Sequence, residues 1–233
     1  MSEQAVVVEE KKKVVKEREP LFSKKNKKLI SDPLDENNPI TIQVLGICSA
    51  LAVTVQMKAA VVMSVAVLFV LILANVSISL IRNLIPNRIR IIVQLVVVAA
   101  LVIVVDQVLK AYLFDVSKEL SVFVGLIITN CIIMGRLEAF ALGNKPWPSA
   151  LDAIGNSLGY GMVLVIVSFF KELFGSGKLF GFEIFGNATE QTGLYAIGYM
   201  DNGLMLLPTS SLILVAVYIW IQKLRNPSLI ETH

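Results

Sequence analysis

AAVVMSVAVLFVLILANVSISLI, Ala59–Ile81, runs for 23 positions without a charged residue. A helix needs about 20 apolar residues to cross the hydrocarbon core of a bilayer. The run is continuously apolar and does not alternate, so a strand of a membrane barrel is a poor reading of it. The next run, Ile91–Leu109, carries only Asp106. More than half of the 233 residues are apolar, and the mean hydropathy is +0.72. A soluble domain does not need that much apolar surface, and an all-α membrane protein is expected.

Six apolar segments stand along the chain, at residues 40–55, 59–81, 89–110, 120–135, 150–174 and 203–222. The first and fourth are marginal for a full crossing, which suits half-helices shielded by their neighbours. Residues 1–37 form a charged extension with nine Lys/Arg and eight Asp/Glu. Residues 38–222 form the membrane domain, and 223–233 a tail. No signal peptide is expected, because a long polar stretch precedes the first apolar segment. With every segment crossing and the N-terminus inside, Arg82, Arg88, Arg90, Arg136, Lys145, Lys223 and Arg225 face the cytoplasm. The opposite side receives Lys58, Lys110, Lys118 and Lys178 beside Asp115, Glu119, Glu183, Glu190 and Asp201. The Lys/Arg bias places both termini in the cytoplasm.

The two halves, about 38–112 and 118–222, share a pattern. QVLGICSALAVT (Gln43–Thr54) and GLIITNCIIMGR (Gly125–Arg136) each set a cysteine inside a short apolar segment that precedes two longer ones. The second segment of each half ends in a polar pair and a breaker: Arg82-Asn83 with Pro86, and Lys171-Glu172 with Gly175. Lys171-Glu172 reads as an interfacial ion pair. Three crossings per half is an odd number, so the second half enters from the opposite side. Such inverted repeats place their short or broken helices together at the bilayer midplane. Cys48 and Cys131 are therefore expected to meet there.

A single cysteine in an apolar helix is ordinarily a small hydrophobe. Two at equivalent places leave a disulfide, or a metal centre, as functional readings. Zinc is disfavoured, since the one histidine is His233. An iron–sulfur cluster takes four thiolates. This chain supplies two, so a partner would supply the others. Gly155, Gly159 and Gly161 are spaced for close helix packing. They open no phosphate loop, so a dinucleotide site is not expected.

Seven stretches carry a resemblance: Asn37-Asn38-Pro39, Gln43–Thr54, LIRNLIPNRIRIIVQ (Leu80–Gln94), VIVVDQ (Val102–Gln107), SVFVGLIITNCIIMGRLEAFA (Ser121–Ala141), LDAIGNSLGYG (Leu151–Gly161) and KELFGSGKLFG (Lys171–Gly181). They span residues 37 to about 222. Together they resemble the family of D-type membrane subunits of bacterial sodium-translocating NADH:quinone oxidoreductases. The counterpart in Rnf complexes, which move electrons between ferredoxin and NAD, is similar, but there Pro commonly follows the first Cys in place of Ser49-Ala50. The resemblance implies a six-helix inner-membrane subunit of a translocase, inserted opposite to a similar E-type subunit. It implies a [2Fe-2S] cluster shared by the two chains, with Cys48 and Cys131 as this chain's ligands. It also implies A-, B-, C-, E- and F-type subunits as partners, with sodium as the exported ion and ubiquinone as electron acceptor. No flavin or NADH site and no nucleic-acid role are expected in this chain.

Asp106 and Asp152 are the candidates for a sodium route, because intramembrane carboxylates mark ion paths by default. The plainer alternatives are an i,i+4 pair of Asp106 with Lys110 and a helix N-cap at Asp152. Asn130, beside Cys131, is a candidate hydrogen-bond donor to the sulfurs. Rival readings are an inverted-repeat transporter or channel with structural cysteines, and a scaffold subunit.

Overall fold

The structure, a computed structural model, describes residues 24–34, 37–86, 88–112, 125–176, 178–179, 182–183 and 203–225. The expectations at Asp115, Lys118, Glu119, Glu190 and Asp201, and those for residues 1–23 and 226–233, lie outside these. Eight α-helices are named below: α1 (Lys24–Ser31), α2 (Ile47–Val53), α3 (Met57–Ile81), α4 (Arg90–Tyr112), α5 (Cys131–Arg136), α6 (Pro146–Ser176), α7 (Gly203–Leu206) and α8 (Pro208–Arg225). A 3-10 turn, Asp32–Leu34, follows α1, and a π-helical turn, Leu137–Ala141, continues α5. A two-residue antiparallel pair, Lys178–Leu179 with Phe182–Glu183, follows α6.

Three helices are long and apolar enough to cross a membrane: Met57–Ile81, Arg90–Val108 and Pro146–Gly175. The short apolar segments break up further than expected. Of residues 40–55 only α2 is helical. The described part of the fourth segment is a helical turn at 125–128, an interruption at Thr129-Asn130, and then α5.

The long helices α3 and α6 form the centre and run antiparallel. At one end, the Met57 amide that opens α3 donates to Glu172 Oε2 near the end of α6, at 2.6 Å. Toward the other end, Asn75 Nδ2 donates to the Ser149 carbonyl at 3.0 Å. At the other end, Ser79 Oγ donates to the Asn144 carbonyl at 2.6 Å. A bilayer offers no water to the first amides of a helix, so the Glu172 carboxylate satisfies a donor that Gln56 leaves without a side-chain cap. Between these ends Val67, Val70, Leu71 and Ala74 are buried with Tyr160, Val163, Leu164 and Val167 in one apolar core. The α4 helix leaves Ile91, Ile92, Val96, Ile103 and Val104 exposed, a face suited to lipid tails.

Lys171 and Glu172 are not the interfacial pair read from sequence. Adjacent residues on a helix project about 100° apart. Glu172 turns to Met57, while Lys171, fully buried, donates to Ser211 Oγ at 2.8 Å and to the Leu207 carbonyl at 3.4 Å.

The small residues of α6 do allow close packing. A Cβ on Gly155 would stand 2.5 Å from the Leu29 carbonyl oxygen, and one on Gly159 would run into the Pro33 carbonyl. The backbone from α1 through its 3-10 turn therefore lies directly on α6. Gly159→Val is expected to lower stability by about 1–3 kcal/mol, as overpacking does. Thermal denaturation in detergent, compared with Gly125→Ala, where a Cβ meets nothing within 4 Å, checks this.

Candidate functional site

Residues 38–46 reach the site without regular secondary structure. Backbone of that kind survives at membrane depth only if its polar groups find partners inside the protein. Asn38, fully buried, provides several. Its Oδ1 accepts the amides of Ile40 at 3.0 Å and Thr41 at 3.4 Å, and its Nδ2 donates to the Gly159 carbonyl at 3.2 Å. The amides of Ile42 and Gln43 donate to the Asn38 carbonyl, and that of Leu45 to the Pro39 carbonyl. Two residues then take positive φ: Val44 at 57° and Gly46 at 83°. A β-branched residue in that region is strained, and such strain gathers at functional sites. Gly46 has no such penalty and is the N-cap residue of α2.

Cys48 is the second residue of α2, and Cys131 opens α5. Their Sγ atoms lie 3.9 Å apart although 83 residues separate them in the chain. The Gly46 amide donates to Cys131 Sγ at 2.9 Å. Cys48 is exposed on the chain surface and Cys131 half-buried. Both are free thiols; a disulfide needs an S–S distance of about 2.05 Å. Two thiolates on one tetrahedral metal, with bonds of about 2.3 Å, stand about 3.8 Å apart. The pair fits one edge of such a centre. Among the described residues no group of three or more His, Cys, Asp or Glu stands ready to hold a metal. The chain thus offers two paired thiols, with Cys48 exposed at its surface.

Behind the sulfurs lies a buried hydroxyl network. Tyr160 OH donates to Ser49 Oγ at 2.7 Å, and Ser49 Oγ donates to the Gly46 carbonyl at 2.8 Å. Asn130 Nδ2 lies 3.4 Å from both Ser49 Oγ and Tyr160 OH. Asn130 Oδ1 caps α5 by accepting the Ile132 amide at 3.3 Å. Asn130 therefore sends its hydrogen bonds to the network and the helix end. The donor to sulfur is instead Gly46, which sequence reasoning does not single out. The available signal is a glycine two residues before a cysteine, inside an apolar segment too short to cross. Tyr160 and Ser49 belong to the site too, and they lack even that signal.

The two carboxylates have different settings. Asp106 pairs with Lys110 at 2.5 Å near the end of α4, the i,i+4 arrangement expected. Asp152 is not an N-cap: α6 already begins at Pro146. Its side chain is almost wholly buried and forms an ion pair with Arg136, whose Nε lies 3.0 Å from Oδ2. Asn156 Nδ2 donates to Asp152 Oδ1 at 3.1 Å. Arg136 also lies 5.5 Å over the Phe140 ring and reaches Gln43 Oε1 at 3.5 Å. These groups line a cavity of about 210 Å³ together with Leu29, Asp32 and Pro33. The cavity and the sulfur pair are distinct places, linked by α5, which carries Cys131 at one end and Arg136 at the other.

A family model described as "Rnf-Nqr subunit, membrane protein" matches residues 26–219. The chain is 54% identical over 209 residues to a protein of Photobacterium profundum named as the D subunit of the Na(+)-translocating NADH-quinone reductase. The match covers 90% of this chain and 97% of the relative.

Proposed function

The chain belongs to the Rnf-Nqr family of membrane protein subunits, and from that premise we propose that it is the D-type subunit of a sodium-translocating NADH–quinone reductase in a bacterial inner membrane. In this reading its cysteines hold half of a [2Fe-2S] centre that it shares with the E-type subunit. The remaining A-, B-, C- and F-type subunits complete the complex. The observation that carries the reading is the 3.9 Å approach of the Cys48 and Cys131 sulfurs at an accessible face. When bound, the group supplies one-electron transfer between carriers held by neighbouring subunits.

The chain's own residues do the rest. Cys48 and Cys131 present thiolates as one edge of a tetrahedron. The Gly46 amide supplies a hydrogen bond to one of them. Ile127, Ile132 and Ile133, all buried, keep the Cys131 side apolar. Low polarity and sulfur hydrogen bonds are the levers by which a protein tunes such a centre.

The fold we read behind the site is six membrane segments in two inverted three-helix repeats, with both termini cytoplasmic. Two observations support it. The second segments of the halves, α3 and α6, run antiparallel. The first segment of each half also meets the third of the other. Thr54, ending the first segment, lies 3.1 Å from Ser211 of α8 by their hydroxyls. Glu138, in the π-helical turn just past the fourth, accepts from Gln94 of α4 at 3.1 Å. Reporter fusions at both ends of the chain are expected to be active only in the cytoplasm, and periplasmic activity at either end rejects this topology. Both sodium candidates sit in ion pairs, Asp106 with Lys110 and Asp152 with Arg136; Asp152 also lines a cavity, which makes it the better placed of the two.

The test of function is iron and acid-labile sulfide measured on the purified complex beside one carrying Cys48→Ala and Cys131→Ala together. About two iron atoms and two sulfides per complex are expected to disappear. Unchanged iron in the double variant rejects the reading and leaves a transporter or scaffold role.

A further inference from the structure

We propose that Tyr160 is a positioning residue that sets the electron affinity of the sulfur pair through the Gly46 amide. The inference rests on the iron–sulfur reading above. It begins at Cys131 Sγ, which accepts the Gly46 N–H at 2.9 Å. The amide is held in place by a left-handed Gly46, with φ 83°. Tyr160 fixes that conformation twice. Its ring edge occupies the space where a Gly46 Cβ would stand, 3.0 Å from Cε2. Its hydroxyl holds Ser49 Oγ at 2.7 Å, and Ser49 Oγ in turn holds the Gly46 carbonyl at 2.8 Å. Asn130, one residue before Cys131, reaches both hydroxyls at 3.4 Å and ties the second sulfur-bearing turn to the same network.

Burial gives the network its rigidity. Tyr160 and Asn130 have no exposed surface and Ser49 almost none, so water does not compete for these bonds. A buried phenol hydroxyl keeps a partner because leaving it without one is costly. The two turns, 85 residues apart, are thereby held in one register with a single side chain between them. An N–H···S bond stabilises negative charge on sulfur. That charge is larger in the reduced state, so the bond favours reduction. Releasing Gly46 weakens the bond and makes the centre harder to reduce. Tyr160 acts through the backbone conformation of Gly46, whose carbonyl is held and whose amide donates to Cys131 Sγ.

The test is redox potentiometry of the intact purified complex, read by electron paramagnetic resonance, with iron and labile sulfide measured on the same samples. Tyr160→Phe keeps the ring and removes the hydroxyl; Ser49→Ala removes the relay; Ser49→Thr keeps it. Tyr160→Phe and Ser49→Ala are expected to retain full iron and to titrate at a more negative midpoint. Ser49→Thr is expected to return toward the wild-type midpoint. The Tyr160→Phe and Ser49→Ala double variant should shift no further than the larger single, because both act on the conformation of one residue, Gly46. Midpoints equal to wild type at full iron content overturn the proposal and leave the iron–sulfur reading standing. That reading fails separately, if the cysteine double variant keeps its iron. Should Tyr160→Phe not assemble, Ser49→Ala against Ser49→Thr decides: a difference supports the proposal and equality overturns it.

Discussion

Cys48→Ala or Cys131→Ala, each alone, is expected to strip the iron from the purified complex and to reduce sodium-dependent quinone reduction by about 100-fold or more. Loss of even an outer-shell partner of a metal ligand typically costs 10–100-fold, and a ligand itself counts for more. The remaining thiol cannot compensate. One sulfur defines no tetrahedral edge, and among the described residues no third ligand stands beside the pair to take the missing place. The two substitutions should be equivalent in iron content although their surroundings differ, with Cys48 exposed and Cys131 half-buried. Neither is expected to unfold the chain, because neither sulfur lies in the apolar core formed by α3 and α6. Assembly, followed by co-purification of the other subunits, should stay normal while the redox centre is lost. Wild-type iron in either single variant would mean that the sulfurs meet for another reason.

The cysteine pair and its central scaffold are legible in the residues themselves. The long helix α3 is legible because 23 uncharged residues admit few alternatives in water or lipid. The meeting of Cys48 and Cys131 is legible because the two halves share a pattern that sets a cysteine in each short apolar segment, from which proximity is expected. The glycines of α6 announce close packing, though not that the packed element is the stretch from Leu29 to Pro33. What fails to show depends on tertiary pairing. Ser49 and Tyr160 are 111 residues apart, and nothing local marks a serine as the acceptor for that tyrosine. The left-handed turn at Gly46 follows from where the chain must go, and periodicity carries no trace of it. Asp152 departs from its expected place for a simpler reason. The start of an apolar run is not the start of a helix, and Pro146 sits at the first helical position, where proline is favoured. Asp152 consequently falls well inside the helix, on the side that faces Arg136.

Breaking the Arg136–Asp152 pair from one side is the second large effect expected. Arg136→Met removes the guanidinium and leaves a carboxylate whose side chain is only 3% exposed. A charge stranded in that way costs about 3–5 kcal/mol, whereas replacing both partners together is often close to neutral. Arg136→Met should therefore lower the thermal midpoint of the complex in detergent sharply, and Arg136→Met with Asp152→Leu should recover most of the loss. The cycle also separates structure from ion transport. If Asp152 only balances Arg136, the double variant regains sodium-dependent turnover along with stability. If Asp152 takes part in a sodium route, the double variant is stable yet needs at least about ten times more sodium for half-maximal rate, the loss of one good carboxylate contact being worth roughly 1.4 kcal/mol or more. Asp152 lines the cavity beside Asp32, Asn156 and Arg136, so the sodium dependence of the double variant decides between the two outcomes. A stable double variant with wild-type sodium dependence would confine Asp152 to holding Arg136.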